Sequence, residues 1–246
     1  MSAELKTLLV TAMSLGFLHT LLGPDHYIPF AAMARANGWT RRKTFAITLL
    51  CGVGHILSSV VLGVIGLALG LVVFQLESIE SARGETAAWL LIGFGLAYLC
   101  WGVVQAIRNV PHTHLHTHAD GTTHSHPHRH DLEHQHVHLP EDSVEDGGSG
   151  RRRRLMTPWV LFIIFAFGPC EVLIPLLMYP AAEANFWAVG MVVIAFGAAT
   201  LVAMVGAVMV LLYGLERIRL PNLHRYSHAL AGLALLVCGL MIKIGF

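Results

Sequence analysis

Apolar residues run through this chain in long stretches, and polar residues interrupt them at a few sharply bounded places. A stretch of about 20 predominantly apolar residues is enough to cross a ~30 Å hydrocarbon core. Six such spans are expected, from about Leu8 to Ala36, Phe45 to Gln75, Ala87 to Arg108, Leu155 to Ala181, Phe186 to Leu215 and Tyr226 to Ile244. The first is broken at Gly23-Pro24 and the fourth at Gly168-Pro169, because proline lacks the amide hydrogen that an α-helix needs in its interior. Between the third and fourth spans lies a polar segment, Pro111 to Gly150. The pattern predicts an all-α polytopic membrane protein in three parts. Residues 1–110 form a first three-helix repeat, 111–150 a His-rich loop, and 151–246 a second three-helix repeat.

The two halves share a register. Gly23-Pro24-Asp25-His26 aligns with Gly168-Pro169-Cys170-Glu171, and Pro29 aligns with Pro175 after one extra residue. The separation from Gly23 to Gly52 equals that from Gly168 to Gly197, 29 positions, so His55 falls on Thr200. In the last span of each half, Gly95 to Gly102 aligns with Gly232 to Gly239. With three spans per repeat the halves must be inserted upside down relative to each other. That plan, with a midplane site at discontinuous helices, belongs to secondary transporters.

Composition sharpens the picture. Of 246 residues 55% are hydrophobic and 13% charged, too apolar for a soluble domain of this size. Thirteen basic residues sit in the loops and span ends after spans one, three and five, from Arg35 and Arg41 through Arg151–Arg154 to Arg225. Only Lys6, Arg83 and Lys243 lie on the other side, which makes 13 against 3 of the 16 Lys and Arg. The positive-inside rule then puts both termini outside and the 111–150 loop in the cytoplasm. Net charge is +1 and no basic run lines a groove, so nucleic acid is not an expected partner. Glu4 beside Lys6, with an apolar run that leads straight to His19, does not match a cleavable signal peptide. Cys51, Cys100, Cys170 and Cys238 form no Cys-x-x-Cys pair and indicate no disulfide framework.

The candidate chemistry sits at the breaks. Ionisable residues at membrane depth are costly and mark function. Pro24 would free the Thr20 carbonyl and Pro29 that of Asp25. Pro169 would free Phe165 and Pro175 would free Glu171. Bare carbonyls at that depth need protein or a water-filled cavity. Carbonyls and carboxylates facing one cavity suit a cation, and Asp25 and Glu171 oppose an anion at the following half-helices. His19 and His26 would be about 10.5 Å apart along a straight helix. Either the break folds them together or they serve successive sites. With Asp25, and with His55 among small residues of span two, they make a nitrogen and oxygen set suited to Ni²⁺, Co²⁺ or Zn²⁺. His55 taken alone reads as a buried hydrogen-bonded residue. Cys170 and Glu171 are candidates for a second-half site or for coupling, while Glu183, Asn185, Thr200, His224 and His228 are weaker.

Eleven histidines mark the polar segment: His112, His114, His116, His118, His124, His126, His128, His130, His134, His136 and His138. The segment lacks the apolar periodicity of a packed core, so disorder without ligand is expected. Such tracts bind metal through neutral imidazole, which points to a cytoplasmic buffer, delivery arm or sensor.

His19 with Asp25-His26 in a broken first span, Gly54-His55 in the second and the His-rich loop together resemble the nickel/cobalt transporter superfamily. The nearest likeness is to its six-span exporter-like and urease-accessory-like members, distant kin of the sulfite-exporter and lysine-exporter clans. In that family four residues usually separate the first His from the Asp; here there are five, Thr20 to Pro24. The resemblance implies that His19, Asp25, His26 and His55 handle the metal. It implies a multi-pass protein of a bacterial plasma (inner) membrane that carries divalent metal, nickel or cobalt before zinc, and more towards efflux. Membrane lipid, the metal ions, a second copy of the chain and a metallochaperone are the partners to expect. Neither enzymatic activity nor an organic cofactor is expected, and no nucleotide-binding P-loop occurs. The alternatives are a transmembrane thiol oxidoreductase relay, an oxyanion or organic-solute exporter with a regulatory loop, and a metallochaperone-like accessory protein.

Overall fold

The computed structural model describes residues 2–70, 73–108, 112–117, 123–128, 149–168, 170, 172–183, 185–217 and 224–245. Among these residues eight α-helices follow one another: α1 Ala3–Leu22, α2 Ile28–Ala36, α3 Arg41–Ala68, α4 Val73–Arg108, α5 Ser149–Phe167, α6 Leu173–Ala182, α7 Phe186–Arg217 and α8 Ser227–Ile244. Short 3-10 turns, Pro24–His26 and His224–Tyr226, precede α2 and α8. Local chemistry sets several of these ends. Ser2 Oγ accepts from the Leu5 amide to start α1, and Thr40 Oγ1 accepts from the Lys43 amide to start α3. Asn185 Oδ1 accepts from the Ala188 amide, so this residue caps α7.

Among the described residues five helices are long and apolar enough to cross a membrane: α1, α3, α4, α7 and α8. Pro158–Phe167, within α5, is a shorter apolar piece. Large apolar side chains such as Leu22, Phe74, Trp187, Ile194 and Val210 stand more than two-thirds exposed, a surface that lipid rather than water would cover. Both breaks fall where proline demands them. The spans depart from expectation most at α4, which begins at Val73 rather than near Ala87 and runs for 36 residues, about 54 Å, while α3 ends at Ala68 rather than near Gln75 and α5 begins at Ser149 rather than near Leu155. The acidic stretch Glu77 to Glu85, expected as a loop, is helical because it continues one buried face: Leu76, Glu80, Gly84, Ala87 and Leu91.

In hydrocarbon the helices gain little from burying apolar surface, so close packing of small residues must hold them. α4 and α8 make the most extensive contact. A Cβ on Gly95 would lie 2.5 Å from the Leu236 amide nitrogen, one on Gly102 2.4 Å from that of Ala229, and one on Gly232 2.3 Å from that of Leu99. A Cβ on Gly239 would lie 2.9 Å from the Ile92 nitrogen. The opposed residues run in opposite directions with no slip, so the seam is antiparallel in a single register. α1 packs on α7 and α3 on both α5 and α7, while α2 packs on α8 and α4 on α6. One apolar core gathers Phe30, Met33, Leu161, Phe165, Met204 and Leu235. A second gathers Ala12, Ile56, Leu173, Leu177, Val192 and Phe196.

Within the tract expected to be disordered, β1 (His112–Thr117) pairs with β2 (Thr123–His128) as an antiparallel ribbon. The register sets His112 opposite His128, His114 opposite His126 and His116 opposite His124. Alternation of period two, with threonine among the histidines, suits a strand even with Leu115 as the one large aliphatic side chain of the two strands. His118, His130, His134, His136 and His138 lie outside the described residues.

Candidate functional site

The first break does not leave its histidines two helix turns apart. α1 stops at Leu22, the Gly23 amide closes back on the His19 carbonyl, and Pro24–His26 winds as one 3-10 turn. The tighter turn brings the ring centroids of His19 and His26 to 5.0 Å. His26 in turn meets His55 of α3 at 5.5 Å, both contacts edge to face. Three imidazoles from α1, the 3-10 turn and α3 therefore form a row with His26 in the middle, and His26 and His55 are both buried. Gly23 permits the turn, since a Cβ there would come within 2.7 Å of His26 Nδ1.

Each of two rings is anchored through one nitrogen. His26 Nδ1 lies 3.2 Å from Asp25 Oδ1 and 3.2 Å from the Gly23 carbonyl. Both neighbours are acceptors, so Nδ1 carries the proton and Nε2 keeps its lone pair. His55 Nδ1 lies 3.2 Å from the Phe165 carbonyl. That is the carbonyl freed by Pro169, so α3 supplies the donor that α5 lost. His55 Nε2 is buried without a partner, and so is His19 Nε2. A ring whose second nitrogen is held by a carboxylate or carbonyl is the arrangement used to orient a metal-binding imidazole. Among the described residues no group of three or more His, Cys, Asp or Glu converges closely enough to hold an ion as it stands. Asp25 meets the row through His26 Nδ1, as an orienting group for that ring.

Thr200, which the sequence register aligns with His55, is buried and donates to the Gly16 carbonyl of α1 at 3.4 Å. Each half thus sends a polar side chain from its second long helix to a carbonyl of the other half's broken helix. Glu183 is exposed. His228 Nδ1 pairs with the Tyr98 hydroxyl at 2.8 Å, which ties α8 to α4 near the cytoplasmic ends expected above. Cys170 is buried at the second break, and its amide donates to Glu80 Oε2 of α4 at 3.2 Å. Glu171 lies outside the described residues.

Two residues at this second break were not singled out by sequence reasoning. Glu80 is fully buried, and Arg83 Nη1 donates to its Oε1 at 2.5 Å. Arg83 Nη2 also donates to Ser58 Oγ at 2.8 Å and to the Ala166 carbonyl at 2.9 Å. The signal was present in their spacing: Glu80 falls in the row Leu76, Gly84, Ala87 and Leu91, which is the buried face of α4.

No protein-family model, no curated protein and no solved structure matches the chain.

Proposed function

We propose that the chain is a secondary transporter of divalent transition-metal ions, nickel or cobalt first and zinc third, and that it works in efflux. The observation that carries this reading is the pair of buried, unpartnered imidazole nitrogens, His19 Nε2 and His55 Nε2, flanking His26 at a break in a membrane helix. A neutral imidazole nitrogen left bare in an apolar interior costs free energy unless something fills its lone pair. A borderline transition metal fills it well. The ion would be handled by His19, His26 and His55 after a small convergence of the row, with Asp25 orienting His26 and supplying negative charge nearby.

The plan of two inverted repeats with six spans is part of this proposal, with α5 and α6 together as the fourth span. Helix contacts exchange in matching pairs under it: α1 on α7 with α5 on α3, and α2 on α8 with α6 on α4. The same exchange relates His55 to Thr200 and carries Gly95 and Gly102 onto Gly232 and Gly239. The orientation with termini outside rests on the 13-against-3 distribution of basic residues. The His-rich tract, with six of its histidines at opposed positions of the ribbon, would collect metal on the cytoplasmic side.

The test is metal flux in proteoliposomes with Ni²⁺, Co²⁺ and Zn²⁺, comparing wild type with His26→Ala and Asp25→Ala. Saturable flux that His26→Ala abolishes and Asp25→Ala reduces is expected. Unchanged flux in His26→Ala would remove the site assignment.

A further inference from the structure

The ion pair on α4 replaces one rung of a broken helix. In an unbroken helix the Cys170 amide would donate to the Ala166 carbonyl. Here Glu80 takes that amide and Arg83 takes that carbonyl, while the two charges satisfy each other. The preceding carbonyl, of Phe165, receives His55 Nδ1 and the Gly168 amide. Ser58, three residues after His55 on α3, accepts from Arg83 and donates to the His55 carbonyl at 2.7 Å. Two routes therefore join the guanidinium to the imidazole, one through the last turn of α5 and one through the backbone of α3.

A buried ion pair is weak evidence of a stabilising role, since packed apolar residues often serve as well. What apolar residues cannot do is reach three acceptors in fixed directions, as the planar guanidinium does. We propose that Glu80 and Arg83 are positioning residues for the imidazole row. They hold the end of α5 where the Phe165 carbonyl fixes the His55 ring, and so they set metal affinity without touching the ion. This rests on the transport reading above and assigns the second break a task within it that involves neither the Cys170 thiol nor Glu171.

The experiment titrates Co²⁺ into the purified full-length chain in lipid nanodiscs, following calorimetry and the visible ligand-field band of bound Co²⁺, and reads the row as the binding that remains after subtracting the His-rich tract's share, which His26→Ala should retain. Arg83→Gln is expected to weaken binding about 10-fold, within the range for outer-shell partners, and to alter the band. Arg83→Lys should recover part of the affinity. In proteoliposomes KM should rise in Arg83→Gln while maximal flux holds. If Arg83→Gln does not fold, the double variant Glu80→Met/Arg83→Met removes both charges together and should fold, yet bind weakly. Wild-type affinity and band in either variant, with His26→Ala still losing metal, overturns the positioning role alone. Wild-type binding in His26→Ala overturns both proposals, since there is then no site at the row to position.

Discussion

Replacing Asp25 with asparagine removes one negative charge from the imidazole row and leaves its shape nearly unchanged. In the structure this carboxylate holds His26 Nδ1 at 3.2 Å, and the Gly23 carbonyl holds the same nitrogen at 3.2 Å. Asparagine still offers a carbonyl oxygen, and the Gly23 acceptor remains, so the ring keeps its tautomer and its direction. Loss of an outer-shell partner typically costs 10–100-fold in metal affinity, or about 1.4–2.7 kcal/mol. With one of two acceptors untouched, we expect the lower end, about 10-fold. Calorimetric titration of Ni²⁺ and Co²⁺ into wild type and Asp25→Asn in nanodiscs reads this directly. An unchanged Kd would mean that Asp25 does not orient His26. Complete loss of binding would mean that Asp25 is itself a ligand. Either result refutes the placement of Asp25 behind the ring.

Other substitutions probe other parts of the molecule. His55→Phe removes both an unpartnered nitrogen and one of two donors to the Phe165 carbonyl; metal binding at the row should disappear, leaving that of the His-rich tract, and the chain should lose about 1 kcal/mol of stability, while a variant that binds as wild type would exclude His55. Gly102→Ala should destabilise by about 1–3 kcal/mol, because its Cβ would meet the Ala229 nitrogen at 2.4 Å. Gly93→Ala, with nothing within 4 Å, should gain a few tenths to about 1 kcal/mol; equal unfolding midpoints in mixed micelles would contradict the α4–α8 seam. Cys170→Ser should leave metal flux largely intact, whereas a thiol relay would stop, as thiol-exchange assays would record. Deleting residues 112–138 should change apparent affinity or regulation in flux assays and leave residual transport; total loss would place the tract within the pathway.

Much of the first break could be read from Gly23, Pro24 and the residues around them, because proline acts locally and its lost hydrogen bond follows from one residue type. Whether His19 and His26 would meet could not, since that depends on the 3-10 turn through Asp25. The role of His55 at Phe165 was half legible. The freed carbonyl follows from Pro169, but its donor comes from a residue 110 positions away. Glu80 and Arg83 were hidden by their own charge. Glu77, Glu80, Arg83 and Glu85 together resemble a solvated loop by composition, and only the helical period extended backward from Gly95 shows that Glu80 points inward. In the His-rich tract the lack of apolar periodicity outweighed an alternating pattern that the ribbon uses.

The single-register seam between α4 and α8 also has a mechanical meaning. Because backbone meets backbone at glycine after glycine, neither helix can slide by a residue or roll about its axis without collision. The two behave as one strut. Its α8 side touches the 3-10 turn and α2, and its α4 side touches α5 and α6. If the row closes around an ion as proposed, the shift at the first break would not be absorbed locally. The strut would pass it to the second break, which His55 already joins to the first through the Phe165 carbonyl.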